Sequence, residues 1–196
     1  NFKKSIWPTF DLNDASKTSK ILLSNKVNYW TGDEGKKFEQ EFSQWCGTKY
    51  SIALANGTVA LEIALRSLEI GPGDEVIVTP RSFMASVSCV ISVGAKPIFA
   101  DVDLNSGNIY SDSIKKVLSH KTKAIICVHL SGFPCDMDEI MDIALEKNLF
   151  VVEDCAQAHG AIYKNKRVGS LGDIAAFSFF ANKTITCGEG GMVVTN

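Results

Sequence analysis

Two spacings of apolar residues alternate along the chain. Short apolar runs stand at Tyr50–Ala55, Glu75–Thr79, Pro97–Ala100, Lys123–Leu130 and Leu149–Glu153, and two more at Ile174–Phe180 and Gly191–Thr195. Their length and bounding turns read as strands. Between them, apolar positions recur every three or four residues over Asp33–Cys46, Thr58–Leu68, Ser82–Val93, Ser111–Leu118 and Asp136–Lys147, which reads as helix. In the first of these, Phe38, Phe42 and Trp45 fall on one face. Gly71-Pro72-Gly73-Asp74 punctuates the chain as a turn. Strands alternating with helices predict an α/β fold, a mostly parallel central sheet flanked by helices on both faces. No internal repeat, low-complexity tract or linker interrupts the pattern.

Composition narrows the picture. The chain has 196 residues, which suits one large domain with or without an arm, and 45% are hydrophobic against 21% charged, enough for a sizeable core. Lys plus Arg is 20 and Asp plus Glu is 22, a formal charge of -2. That balance gives no global reason to expect nucleic acid or an anionic membrane surface. Lys121 and Lys123 are isolated, and Lys164 to Arg167 reads as a solvated turn. No apolar stretch is long enough to span a bilayer. The start, Asn1-Phe2-Lys3-Lys4, has neither a Met nor a signal-peptide core, so the chain is expected to be a trimmed one. The six cysteines, Cys46, Cys89, Cys127, Cys135, Cys155 and Cys187, form no C-x-x-C pair and no zinc spacing. Free thiols in a reducing cytosol are expected, with no metal site.

In open α/β sheets, ligands bind beyond the carboxyl ends of the strands, so the polar residues that follow strands are the candidates. Ala55-Asn56-Gly57-Thr58 joins a strand to a helix; Gly57 permits close backbone approach, and a helix start offers free N–H groups to a phosphate. Asn56 or Thr58 serves equally well as a helix cap. Pro80-Arg81-Ser82-Phe83-Met84-Ala85 offers Phe83 either for stacking on a planar ring or as a core aromatic. Val151 to Ala161 puts Asp154 at a strand end. A buried carboxylate needs a cationic partner, and a protonated ring nitrogen is one; a helix cap is the plainer alternative. Gln157 lies three positions on, able to donate to a ring oxygen, and His159 reads as a packing or supporting residue. Ser178-Phe179-Phe180-Ala181-Asn182-Lys183 places a lysine just past an apolar strand, where partial desolvation makes an amine a usable nucleophile. Cys187-Gly188-Glu189-Gly190-Gly191 matches neither a Walker A loop nor G-x-G-x-x-G and reads as a tight reversal.

In this order, the stretches resemble the DegT/DnrJ/EryC1/StrS family of sugar aminotransferases, which have the aspartate-aminotransferase (fold type I) architecture. The resemblance runs from Asn28-Tyr29-Trp30-Thr31-Gly32 to Asn196, and is most specific at Glu153 to Ala161 and Ser178 to Gly191. Gly73-Asp74-Glu75-Val76-Ile77 and Gly94-Ala95-Lys96-Pro97 share it. It implies a cofactor, pyridoxal 5'-phosphate (PLP), with its amino form PMP as intermediate. By position it implies that Lys183 forms the Schiff base, Asp154 pairs with the pyridine nitrogen, Gln157 contacts the ring hydroxyl and Phe83 stacks on the ring. Gly57, Thr58 and Ser178 would hold the phosphate.

The same resemblance implies residues 1–32 as an N-terminal arm and 33–196 as a PLP-binding large domain, with a C-terminal small domain missing. It implies transfer of an amino group, usually from L-glutamate, to a keto group of a nucleotide-linked deoxysugar in surface-glycan biosynthesis such as O-antigen. A cytoplasmic homodimer with a composite active site is expected on the same ground. A dehydratase on the same scaffold is one rival, but that branch carries His where Lys183 stands. A non-catalytic fragment of the family is the other, against which Lys183, Asp154 and Gln157 stand together.

Overall fold

The computed structural model describes residues 7–196. In chain order the elements are α1 (Leu12–Leu23), α2 (Glu34–Cys46), β1 (Tyr50–Leu54), α3 (Gly57–Ser67), β2 (Glu75–Val78), α4 (Ala85–Ser92), β3 (Lys96–Phe99), α5 (Ser111–Val117), β4 (Thr122–Val128), α6 (Met137–Lys147), β5 (Phe150–Asp154), β6 (Ile162–Tyr163), β7 (Lys166–Arg167), β8 (Ile174–Ser178) and β9 (Gly191–Thr195). Seven strands form one sheet in the order β1-β9-β8-β5-β4-β2-β3. β3, β2, β4, β5 and β8 run parallel, and β9 runs antiparallel between β8 and β1. The sheet is mostly parallel, as the alternating pattern predicts.

Alternate residues of each strand point to opposite faces. On one face Val76, Val78, Ala124, Ile126, Val152, Ile174, Ala176 and Val193 pack under α3 and α4. On the other, Ile77, Ile125, Cys127 and Val151 pack against α5 and α6. Toward the β8–β9 end, Phe177, Met192 and Val194 meet Phe42 and Cys46 of α2. The aromatic face read from the sequence of α2 is there: Phe42 meets the Phe177 ring edge-on at 4.9 Å and Phe38 meets Phe179 at 5.3 Å. Both faces are thus covered, which explains why the strands read as unbroken apolar runs.

Three elements differ from the sequence reading. α1 lies inside the stretch read only as an arm. Asp11 caps it by accepting the Asn13 and Asp14 amides, but α1 buries no residue. The helix expected from Ser82 begins at Ala85, because residues 79–84 first turn over the end of β2. Lys164 to Arg167 is only half a turn: Lys164 and Asn165 take left-handed backbone angles (φ 44° and 69°) and close the β6–β7 hairpin, whose second strand is Lys166–Arg167. The Arg167 guanidinium ties that hairpin to α2 by donating to the Trp45 carbonyl at 2.9 Å.

Two glycines set how closely α3 enters the sheet. A Cβ on Gly57 would lie 2.7 Å from the Ser178 Cβ, and one on Gly191 would lie 2.2 Å from the Asn56 carbonyl oxygen. The start of α3 is therefore pressed against the ends of β8 and β9, at the carboxyl edge of the parallel strands. Gly191→Ala is expected to lose about 1–3 kcal/mol, the usual cost of overpacking a tight site. Chemical denaturation of the variant beside wild type checks this.

Candidate active site

At that carboxyl edge lies a cavity of about 300 Å3, in the range of small-molecule sites. Gly57, Thr58, Phe83, Asp154, Gln157, Ser178 and Lys183 all line it, joined by Ser82, Ser86, Val128, Asn182 and Glu189. All seven residues singled out in the sequence are brought to one place. Strand periodicity accounts for three of the walls. Val128, Asp154 and Ser178 each lie an even number of residues beyond the face that packs on α3 and α4, so they point the same way.

α3 supplies one end of the cavity. Asn56 is its N-cap, its Oδ1 accepting the Val59 amide at 2.9 Å. The first amides of a helix have no intrahelical acceptor, which leaves those of Gly57 and Thr58 beside the cavity. The Ser178 hydroxyl is pressed against them by the Gly57 contact. Two amides, two hydroxyls and a helix N-terminus make a cradle for an anion, and no Cβ at position 57 blocks it.

Asp154 lines the same cavity. It is 5% exposed, its Oδ2 accepts the Ser86 hydroxyl at 2.6 Å and its Oδ1 accepts the Ala156 amide at 3.1 Å. The helix-cap alternative is not realised: among the described residues no helix follows β5, and the Ala156 amide bond closes a turn instead. Burial raises the Asp154 pKa, opposed by the Ser86 and Ala156 hydrogen bonds and by the Lys183 charge. Among the described residues no cationic side chain lies within salt-bridge distance of Asp154. A buried carboxylate with neutral donors and no ion pair calls for a cation in the cavity, and a pyridinium N–H meets that need. The anion cradle and the buried carboxylate without an ion pair, both lining one cavity, fit PLP.

Phe83 is 67% exposed, with its ring at the cavity wall rather than in the core. Gln157 is oriented by a strained turn. Ser131, in a short 3-10 turn at 130–132, takes left-handed angles (φ 54°) and donates its amide to Gln157 Oε1 at 2.9 Å. The carboxamide Nε2 is left to donate elsewhere. Lys183 reaches the cavity from a turn that follows β8, its amide bonded to the Phe180 carbonyl at 2.9 Å.

His159 does not line the cavity. Its ring packs against Phe177 and Phe179 at 5.4 and 5.3 Å, and neither nitrogen has a partner in hydrogen-bonding geometry. Burial, then the Lys183 charge, pushes its pKa down to about 4 against a weak pull from the Ser178 backbone. Its place between the two phenyl rings accords with the packing or supporting reading given to it in the sequence.

The sequence reading missed Ser86 and the network under Asp154. Glu153 points to the opposite face and is fully buried. It accepts the amides of Gly169, Leu171 and Gly172, each at 2.8 Å, and the His129 Nε2–H at 2.9 Å. The Cys135 amide donates to His129 Nδ1, which fixes the ring proton on Nε2. Burial alone would raise the Glu153 pKa; His129 and the amides of Gly169 and Gly172 outweigh it and hold it below its ordinary value.

The profile of the DegT/DnrJ/EryC1/StrS aminotransferase family matches residues 10–196. The chain is 51% identical over 174 residues to a GDP-perosamine synthase of Escherichia coli O157:H7, covering 89% of this chain and 46% of that protein. It thus spans about half the length of the curated relatives it matches. Its fold superposes on an aminotransferase from Psychrobacter cryohalolentis with a TM-score of 0.96 at 58% identity, covering 98% of this chain and 49% of that one. It also superposes on a candidate sugar aminotransferase from Streptococcus pneumoniae solved in a PLP form, with a TM-score of 0.92 at 32% identity, covering 96% and 52%.

A carboxylate with a lowered folded-state pKa stabilises the fold above its unfolded pKa and loses that contribution as pH falls through the folded value. Glu153→Gln is expected to cost roughly 1–3 kcal/mol at neutral pH, since its amide group turns a donor toward buried N–H groups. The variant should also lose stability less steeply than wild type below pH of about 4.5, where the unfolded glutamate begins to take up its proton. Urea midpoints measured across that range test both.

Proposed function

The chain belongs to the DegT/DnrJ/EryC1/StrS aminotransferase family, and we propose that it is the cofactor-binding part of a PLP-dependent aminotransferase acting on a nucleotide-linked keto sugar. The observation that carries this reading is the cavity itself: an anion cradle, an orphaned buried carboxylate and a lysine meet there from separate segments. Gly57, Thr58 and Ser178 would hold the phosphate, Phe83 the ring face, Gln157 the ring hydroxyl and Asp154 the ring nitrogen. Lys183 Nζ would hold the cofactor covalently through its carbonyl carbon, with loss of water. Bound there, the cofactor supplies an electron sink for the electrons left on a substrate carbon.

The chain's residues provide the rest. Asp154 keeps a proton on the ring nitrogen, so that the ring accepts negative charge. Lys183 Nζ, once displaced by the donor amine, would be the base that accepts the donor's Cα proton and the acid that returns it. In the acceptor half it would move protons the opposite way, so that the amino group left by the donor, itself released as a 2-oxo acid, ends on the sugar's keto carbon and the carbonyl oxygen leaves as water. The amino donor is L-glutamate, and the product belongs to a surface glycan such as a lipopolysaccharide O-antigen, made in the cytoplasm. None of the helices among the described residues is long and apolar enough to cross a membrane. Residues 33–196 form the large domain, 1–32 (of which 1–6 lie outside the described residues) an arm that meets a second copy in a homodimer, and the sugar is enclosed with the help of a further C-terminal domain. Exposed Leu12, Leu22, Leu23 and Trp30 on and after α1 support an arm built to be covered.

The test is an absorbance spectrum of the purified full-length protein with PLP, before and after borohydride. A visible band that borohydride fixes to Lys183, absent in Lys183→Ala, is the expected result; turnover with glutamate and a keto-sugar nucleotide should vanish in that variant. A band that survives in Lys183→Ala would refute the lysine. Loss of the Asp154 charge in Asp154→Ala should weaken cofactor binding and turnover together.

A further inference from the structure

Ser86 sits in the first turn of α4, is 0% exposed, and donates to Asp154 Oδ2 at 2.6 Å. Its oxygen also lies 2.6 Å from the hydroxyl of Ser82, four residues earlier, which lines the cavity. Proton counting sets the direction of this chain. A serine has one hydroxyl hydrogen. An ionised carboxylate can only accept, so the Ser86 hydrogen is spent on Asp154. The contact between the serines then requires Ser82 to donate and Ser86 to accept. With its one hydrogen turned inward, Ser82 offers only lone pairs to whatever fills the cavity.

We propose that Ser86 is a positioning residue for Asp154, and that Ser82 and Ser86 form a one-way hydrogen-bond chain that orients the carboxylate and makes Ser82 an acceptor toward the ligand. The inference rests on the cofactor reading above and adds residues to that site. Each hydrogen bond in such a chain polarises the next, so the pair holds the negative form of Asp154 more firmly than one hydroxyl would. Burial excludes water from Ser86, so nothing replaces the hydroxyl when it is removed. Without it, Asp154 keeps only the Ala156 amide, and the carboxylate both loses its orientation and takes up a proton more readily.

Direct observation of the ring nitrogen tests the chain. Full-length wild type, Ser86→Ala and the nearly isosteric Ser86→Cys would be loaded with PLP labelled with nitrogen-15 in the ring, and the affinity and the nitrogen NMR shift recorded, with circular dichroism to check folding. Wild type is expected at the shift of a protonated ring. Ser86→Ala should bind PLP about tenfold or more weakly, the loss expected of a hydrogen bond to a charged group, and its ring nitrogen should move toward the unprotonated shift. Ser86→Cys, a poorer donor, should fall between; it carries the test if the alanine variant does not fold. Ser82→Ala should lose less than Ser86→Ala, since Asp154 keeps its direct donor. A loaded wild type with unchanged affinity and shift in Ser86→Ala or Ser86→Cys would overturn the chain alone. A wild type that takes up no PLP would overturn the cofactor reading and the chain with it.

Discussion

Two adjacent carboxylates at the end of β5 cannot share an environment, and the site follows from how the strand separates them. Period-two geometry sends Glu153 to the α6 side and Asp154 to the α3–α4 side. Glu153 meets three backbone amides and a histidine N–H. Every one of its strong acceptor positions is met by the protein. Asp154 meets only a serine hydroxyl and one amide. One acid is satisfied and fixes the loop at 169–172 and the turn at 129–135 to the strand. The other is left with unmet demand, facing a cavity. The first makes the second affordable, because the strand end is held rigidly enough to keep a carboxylate buried.

The opposite wall depends on a steric constraint. α3 enters the sheet edge so closely that Gly57 touches Ser178 and Gly191 touches the Asn56 carbonyl. This is where the antiparallel β9 matters. By reversing direction after β8, the chain passes twice along the same edge, first through Ser178 to Lys183 and then through Glu189 to Gly191. A parallel strand would have started at the far edge, and neither Glu189 nor the glycine contact would be there. The glycine-rich turn read from the sequence as a reversal is thus the device that crowds α3 onto β8. Crowding brings amides, hydroxyl and lysine within reach of one ligand.

Legibility in the sequence tracked locality. The seven strands of the sheet and the five main helices were readable because the sheet is covered on both faces and the apolar periods are strong. The residues at strand ends were readable because an α/β sheet puts ligands there. α1 was not, since a helix that buries none of its residues leaves no apolar stripe, and only its Asp11–Asp14 capping box marks it. The β6–β7 hairpin was hidden by its two-residue strands. Ser86 did leave a signal: it stands three, four and seven residues before Cys89, Val90 and Val93, on the buried stripe of α4, and a serine on such a stripe must find a polar partner. Which partner could not be read, because Asp154 lies 68 residues away. Three of the four donors to Glu153 were invisible because they are backbone amides of a loop that no side chain announces; the fourth, His129, lies 24 residues away.

The hydrogen-bond polarity of the cavity constrains its ligand further than the residue list does. At the α3 end the available groups are donors, the amides of Gly57 and Thr58 and the hydroxyls of Thr58 and Ser178. At the β5 end the group is an acceptor, the Asp154 carboxylate. Along the side, the Ser131 amide occupies Gln157 Oε1, so Gln157 presents a donor. A molecule that satisfies all three has an anionic group, a cationic N–H and an acceptor oxygen for Gln157. It must also be flat where Phe83 lines the wall. A nucleotide phosphate satisfies the first demand but offers Asp154 no cation, and a free carboxylic acid fails it in the same way. The phosphate, pyridinium and phenolic oxygen of a pyridoxal cofactor meet all of them, which is why the reading rests on the polarity of the walls as much as on Lys183.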